Sequence, residues 1–251
     1  MRITGLMKES FQDWEEGLTS VIFAGNCNYL CHTCHGRELL EGENEYNENE
    51  VLSWLARKKQ IIPRTTICGG EPTTQYDLID FTRKLKKIGL RVKLDTNGSN
   101  PEILNELLKE KLVDYVAIDI KGPPNLYNQL IGKEIDLRDC VEKGIGIVCQ
   151  FPDYEFRTTA VPFEKNGEYN WFNEREAKNM ALWVYHFSGI TNDFDNTKWY
   201  IQKFIAREKE KMIDEKFSIE NLPCHMHETP QLKLEEIKDA VRLYFPNARI
   251  R

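Results

Sequence analysis

Apolar positions recur along the chain in two alternating rhythms. "VIFAGN" (21–26) is a short apolar run that ends on Gly and Asn, and it predicts a first buried strand. "EVLSWLARK" predicts a helix, with Asn47 as its cap and Glu50 three residues on completing a capping box. "RTTICGG" (64–70) predicts a second strand. In "YDLIDFTRKLKKIG" the apolar residues fall at 78, 81, 85 and 88, a helical stripe that Gly89 is placed to end. "LRVKLDT" (90–96) predicts a strand, "NGSN" a turn, and "PEILNELLKE" a helix opened by Pro101 and capped by Asn100. "VDYVAIDI" (113–120) is a strand, "LRDCVEKG" a short helix and "YEFRTTAV" (154–161) a strand. "EREAKNMALWVYHFSG" is a helix and "KWYIQKF" (198–204) the sixth strand. The charged run "FIAREKEKMIDEK" (204–216) predicts a solvated helix, and the last 35 or so residues an added helix and a terminal strand.

About six strands with helices between most of them predict an α/β protein of parallel strands joined by crossover helices. Periodicity alone allows a partly closed barrel or an open doubly wound sheet. Either architecture puts ligands at the carboxyl ends of the strands. "GNCNYLCHTC", "GGEP", "DTNG" and "DIKGP" all fall there, so four polar or Gly-rich segments share one rim.

The length of 251 residues allows one large domain, and 41% apolar with 29% charged residues is ordinary for a globular chain. A net charge of −6 does not suggest broad nucleic-acid binding through a basic surface, though it leaves room for local basic patches. The N-terminus lacks the basic-then-apolar layout of a signal peptide, and no apolar run reaches the ~18 residues of a membrane span, so a cytoplasmic protein is expected. Thiols stay reduced there, and an odd count of seven cysteines suits metal binding better than a disulfide framework.

Cys27, Cys31 and Cys34 crowd into the loop after the first strand, with His32 and His35 among them. Three thiolates can hold zinc or an iron–sulfur cluster. Zinc would want a fourth ligand. His35 directly follows Cys34, His32 sits awkwardly between two cysteines, and the remote "CHMHE" offers Cys224, His225 and His227. A four-iron cluster on three thiolates instead leaves one iron open, as catalytic metal sites do.

The spacing Cys-x3-Cys-x2-Cys after a first strand resembles that of the radical S-adenosylmethionine (SAM) enzymes, and "CGGEP" (68–72) resembles their glycine-glycine-glutamate segment. With "KLDTNGSNP", "VDYVAIDIK", "YEFRTTAV" and the terminal "ARIR", the chain is similar to the activating proteins of anaerobic ribonucleotide reductase, over about residues 15–205. The resemblance implies a partial (β/α)6 TIM-like barrel over 1–205, with a C-terminal extension, 206–251, packed on it. It implies a [4Fe-4S] cluster on Cys27, Cys31 and Cys34 that reduces SAM to methionine and a 5′-deoxyadenosyl radical. That radical takes a hydrogen from a glycine of an anaerobic ribonucleotide reductase or other glycyl-radical enzyme. The electron comes from a flavodoxin or ferredoxin, and no nucleic acid or membrane takes part.

No catalytic side chain beyond the cluster ligands is implied. Relatives carry an aromatic residue at Thr33, so Thr33 and His35 are expected to meet the adenine through backbone, with Tyr29 as a compensating ring. Gly69 and Gly70 are expected to let backbone approach a ligand, and Glu71 to accept from the SAM ammonium group. Asp95 and Asn97 are expected to line the SAM pocket near the ribose, and Lys121, alternating with Asp119 on one strand, to neutralise the methionine carboxylate. Arg157 and Gln202 match later pocket positions. Each also has a structural reading: a strand-ending turn, a strand-to-turn junction, a surface ion pair. The rival functions are the same chemistry on a small molecule, such as a nucleoside or pterin precursor, and a non-enzymatic zinc module. Cys68, Cys140 and Cys149 read as structural, and His186 as a packed or surface side chain.

Overall fold

The computed structural model describes residues 1–15, 17–41, 46–190 and 197–251. In chain order, β1 (Ile3–Ser10) and β2 (Thr19–Ala24) precede the cysteine loop and the short α1 (Arg37–Glu41). There follow α2 (Glu48–Lys58), β3 (Arg64–Gly69), α3 (Leu78–Ile88), β4 (Arg91–Thr96), α4 (Pro101–Lys109) and β5 (Tyr115–Asp119). Next come α5 (Tyr127–Ile131), a π-helical turn Arg138–Glu142 running into α6 (Lys143–Val148), and β6 (Tyr154–Ala160). A small hairpin, β7 (Phe163–Lys165) and β8 (Glu168–Asn170), leads to α7 (Glu174–Ser188), β9 (Lys198–Lys203), α8 (Gln231–Arg242) and β10 (Ala248–Ile250).

The sheet order β1-β2-β3-β4-β5-β6-β9-β10 resolves the choice that periodicity left open. From β2 to β10 every neighbouring pair is parallel, and only β1 runs antiparallel, on β2. A doubly wound sheet reverses its order so that helices cover both faces. Here the order never reverses, so all crossovers lie on one side, and successive helices touch their neighbours from α2 through α3, α4, α6 and α7 to α8. The other face curls inward. Among the described residues β1 and β10 do not pair, so the molecule is a partial barrel with six sequential parallel strands at its centre. β1 and the β7–β8 hairpin are additions to the predicted elements.

The two faces of each strand follow the alternation of side chains. Val92, Leu94, Val116, Ile118, Phe156, Trp199 and Ile201 are buried beneath the helices. At the α8 end the Trp199 and Phe245 rings lie 4.9 Å apart, edge to face. The positions between them face the barrel axis, and several, Lys93, Asp95, Glu155 and Arg157 among them, are charged. Lys93 lies 1% exposed, with its Nζ 2.9 Å from the Asp13 carbonyl and 3.4 Å from Glu155 Oε1. Trp14, wholly buried and edge-on to Tyr115, closes the lower end.

Two local expectations need correction. Asn100 starts α4 but makes no capping bond, because its Nδ2 donates instead to Thr73 Oγ1 at 2.9 Å. Residues 204–216 form no α-helix; the segment is an irregular strap that ends in a single 3-10 turn, Glu215–Phe217. Five consecutive charged residues, 207–211, leave no apolar side chain at the i+3 and i+4 positions that would hold a helix against the core. The strap's backbone bonds instead to distant segments: Ala206 N–H donates to the His227 carbonyl at 2.7 Å and Ile213 N–H to the Cys34 carbonyl at 2.9 Å.

Candidate functional site

Cys27, Cys31 and Cys34 stand on the loop that leaves the carboxyl end of β2. The loop's stem is fixed by β3. Gly70 N–H donates to the Ala24 carbonyl at 2.9 Å, and Glu71 N–H to the Asn26 carbonyl at 2.8 Å. This contact decides the glycines. A Cβ on Gly70 would lie 1.8 Å from the Asn26 carbonyl oxygen, and one on Gly69 (φ +115) 2.5 Å from Ala24 backbone atoms. Gly69 and Gly70 thus admit the stem of the cysteine loop, and both also line the cavity beside it. Farther along, Leu30 N–H donates to the Ile131 carbonyl at 2.9 Å.

Glu71 ties this stem to β4. Its Oε1 accepts from Thr73 N–H (3.1 Å), Thr73 Oγ1 (2.6 Å) and Thr96 Oγ1 (2.7 Å), and its Oε2 from Asn97 N–H (2.6 Å). A carboxylate offers about four lone-pair sites, two on each oxygen, so the room left for another donor is on Oε2. Burial raises the Glu71 pKa, and these bonds oppose that rise. The free acceptor expected for an ammonium group is thus reduced to one lone pair on a residue only 1% exposed. The Asn97 side chain is also engaged: Nδ2 donates to Asn28 Oδ1 at 2.9 Å, and Asn28 Nδ2 to Ser99 Oγ at 2.7 Å. Asn28, missed from the sequence, fastens the cysteine loop to the turn after β4. No spacing signal marks it.

Around the rim the charges alternate. Arg157 NH1 donates to Asp95 Oδ2 at 2.7 Å and its Nε to Asp119 Oδ1 at 2.9 Å, while Lys121 Nζ donates to Asp119 Oδ2 at 3.0 Å. Burial would raise the Asp119 pKa, but the positive charges of Arg157 and Lys121 overcome it and hold the carboxyl at about 2. Burial opposes the Lys121 charge, and Asp119 with Cys31 more than offsets it, so its pKa is raised. Desolvation, then the charges of Arg207 and Lys121, push His35 below the ordinary histidine value.

All fourteen expected positions line one cavity of about 510 Å³ at the carboxyl ends of the strands: the three cysteines, Thr33, His35, Gly69, Gly70, Glu71, Asp95, Asn97, Asp119, Lys121, Arg157 and Gln202. Tyr29 and Cys68 line it too. The strap adds Ile205, Arg207 and Ile213, which sequence reading missed because it took that run for a solvated helix.

Burial pushes the Cys27 thiol up to about 11 and the Cys31 thiol up to about 12, so metal binding there must expel protons. Tyr29 N–H points to Cys27 Sγ at 3.4 Å and Gly36 N–H to Cys34 Sγ at 3.3 Å, the amide-to-sulfur bonds that suit thiolate ligands. The donor set and the adjoining room fit a polynuclear cluster with space beside it. Among the described residues, no three His, Cys, Asp or Glu side chains are grouped to hold a single metal ion. In the "CHMHE" segment Cys224 is exposed, and His227 Nε2 lies 2.9 Å from the Leu222 carbonyl oxygen. Among the described residues no helix is long and apolar enough to cross a membrane.

A family model described as the radical SAM superfamily matches residues 21–145. A candidate glycyl-radical enzyme activating enzyme of Methanocaldococcus jannaschii is 34% identical over 166 residues, which is 64% of this chain and 68% of that protein. A protein assigned as a GTP 3′,8-cyclase in Pyrococcus horikoshii is 33% identical over 95 residues, 38% of this chain and 31% of its own length. Among solved structures, Streptococcus suis SuiB aligns with a TM-score of 0.60 at 14% identity, over 92% of this chain and 48% of that one. Archaeal TYW1 aligns with a TM-score of 0.52 at 11% identity, over 90% and 72% respectively. The two structural likenesses speak for the fold alone.

Proposed function

The chain belongs to the radical SAM superfamily, and from that premise we propose that it is an activase, installing a glycyl radical on an anaerobic ribonucleotide reductase or another glycyl-radical enzyme. The observation that carries the reading is the placement of three thiols, two with amide donors to sulfur, at one end of a cavity lined by the fourteen expected positions. The family implies a [4Fe-4S] cluster and SAM, and Cys27, Cys31 and Cys34 would be the ligands. When bound, the cluster supplies the single electron that splits SAM into methionine and a 5′-deoxyadenosyl radical.

The chain's own residues do the rest. Gly69, Gly70 and Glu71 fix the stem of the ligand loop. Asp95 and Asp119 hold Arg157 and Lys121 on the strand ends, where Lys121 meets the methionine carboxylate. Thr33 and His35 offer backbone to the adenine, with Gln202 across the cavity. The activase reading is supported by two M. jannaschii relatives assigned as activating enzymes, 34% and 31% identical. A sheet left unclosed also leaves a side from which a partner's loop can enter. The cyclase relatives support a second reading, a small-molecule substrate such as a nucleotide.

Anaerobic reconstitution with iron and sulfide, then reduction with SAM present, is expected to yield methionine and 5′-deoxyadenosine. Cys31→Ala is expected to abolish both, and a variant as active as the parent overturns the ligand assignment. Adding a candidate reductase is expected to give a glycyl-radical signal in electron spin resonance. SAM cleavage without that signal across several reductases favours the small-molecule reading, and a protein that takes up zinc in place of iron with sulfide defeats both.

A further inference from the structure

Each of two cysteine sulfurs has a backbone amide directed at it: Tyr29 N–H at Cys27 and Gly36 N–H at Cys34. Among the described residues no such amide is directed at the Cys31 sulfur. Lys121 lines the same cavity as the three cysteines, and its charge acts on all three thiols. The ammonium is not loose. It donates to Asp119 Oδ2 at 3.0 Å, Asp119 Oδ1 is held by Arg157 Nε at 2.9 Å, and Arg157 NH1 is held by Asp95 Oδ2 at 2.7 Å. Three adjacent strand ends, those of β4, β5 and β6, thus fix one cation beside the ligand loop, in a half-buried position where solvent screens it incompletely.

We infer that Lys121 is the fixed counter-charge of the ligand loop, serving the Cys31 sulfur as backbone amides serve Cys27 and Cys34, and so raising the reduction potential of the cluster held there. The inference rests on the ligand assignment proposed above. Its physics is simple. Three thiolates concentrate negative charge, and one-electron reduction adds another unit. A cation at fixed distance stabilises the reduced form more than the oxidised form. Asp119, Arg157 and Asp95 act as positioning residues for that charge. This role differs from neutralising the methionine carboxylate, because it operates with no SAM bound.

The test is a mediated redox titration of the reconstituted protein without SAM, read by absorbance and electron spin resonance, for the parent, Lys121→Gln, Lys121→Met and Lys121→Arg. At the parent's midpoint, the reduced-to-oxidised ratio is expected to fall about tenfold in the two neutral variants, a shift of about 59 mV for a one-electron couple. Lys121→Arg is expected to stay within about twofold of the parent. Loss of cluster in both neutral variants with retention in Lys121→Arg supports the same role. Neutral variants that titrate with the parent overturn it, as does loss of cluster in Lys121→Arg, which would assign the side chain to packing. A parent that binds no iron and sulfide fails the proposed function itself, a distinct result, and takes this inference with it.

Discussion

Gly70 shows how much of the site is decided by backbone contact and how little of that is visible as sequence. "GGEP" marks the segment, but its spacing says nothing about what the glycines face: Gly69 faces the Ala24 backbone and Gly70 the Asn26 carbonyl. Gly70→Ala is expected to destabilise the fold by about 2–3 kcal/mol, as overpacking does, and to lower iron uptake, measured by denaturant unfolding and metal analysis. Glu71 gives the same lesson, since a carboxylate that reads from sequence as an acceptor for an ammonium group is mostly occupied within the chain. By contrast the cysteine triplet is visible in the sequence, since Cys27, Cys31 and Cys34 fall within eight residues, and all three line one cavity. Asp119 carries a pH signature. Its folded pKa lies at about 2, against an ordinary 3.8, so the stability it contributes is present above about pH 4 and lost as pH falls through 2. That contribution is on the order of 2 kcal/mol, from a shift of nearly two units. The acid limb of the unfolding curve is therefore expected to flatten in Asp119→Asn; an unchanged limb would show that Asp119 is not the group responsible.

The six central strands and their helices could be read from periodicity because each buries one face against a neighbouring layer. β1 escaped because Met7, Lys8 and Glu9 are exposed in succession, an edge strand whose pairing with β2, not its own pattern, defines it. The strap escaped for a related reason. Its run of charges mimics a solvated helix, while its apolar anchors, Phe204, Ala206 and Met212, sit at the two ends of that run and are buried. Met212→Ala is expected to cost about 2–4 kcal/mol and to speed hydrogen exchange at the Ile213 amide, which bonds Cys34, and at the Arg37 amide, which bonds the Lys211 carbonyl at 3.5 Å. Exchange that rises uniformly across the molecule would instead mean a global effect.

For the molecule as a whole, the six central parallel strands are legible but their order is not, since periodicity carries no record of which strand lies beside which. The sequential order comes from crossovers that all wind the same way. Ligand binding at the rim is expected to stabilise the entire domain. SAM at a hundred times its Kd adds about 2.7 kcal/mol, which for a chain of this size raises Tm by about 5–10 °C. The shift is expected in reconstituted protein and not in Cys31→Ala, and calorimetry with and without SAM checks it. A shift that survives in the variant would place SAM away from the ligand loop.

The match to the family model stops at residue 145, yet one wall of the cavity, and a backbone bond to Cys34, come from residues 205–213. Anyone trimming this protein to its most familiar portion would cut away part of the housing around the chemistry. For such chains, expression limits are better drawn from what touches the thiols than from where kinship can be detected.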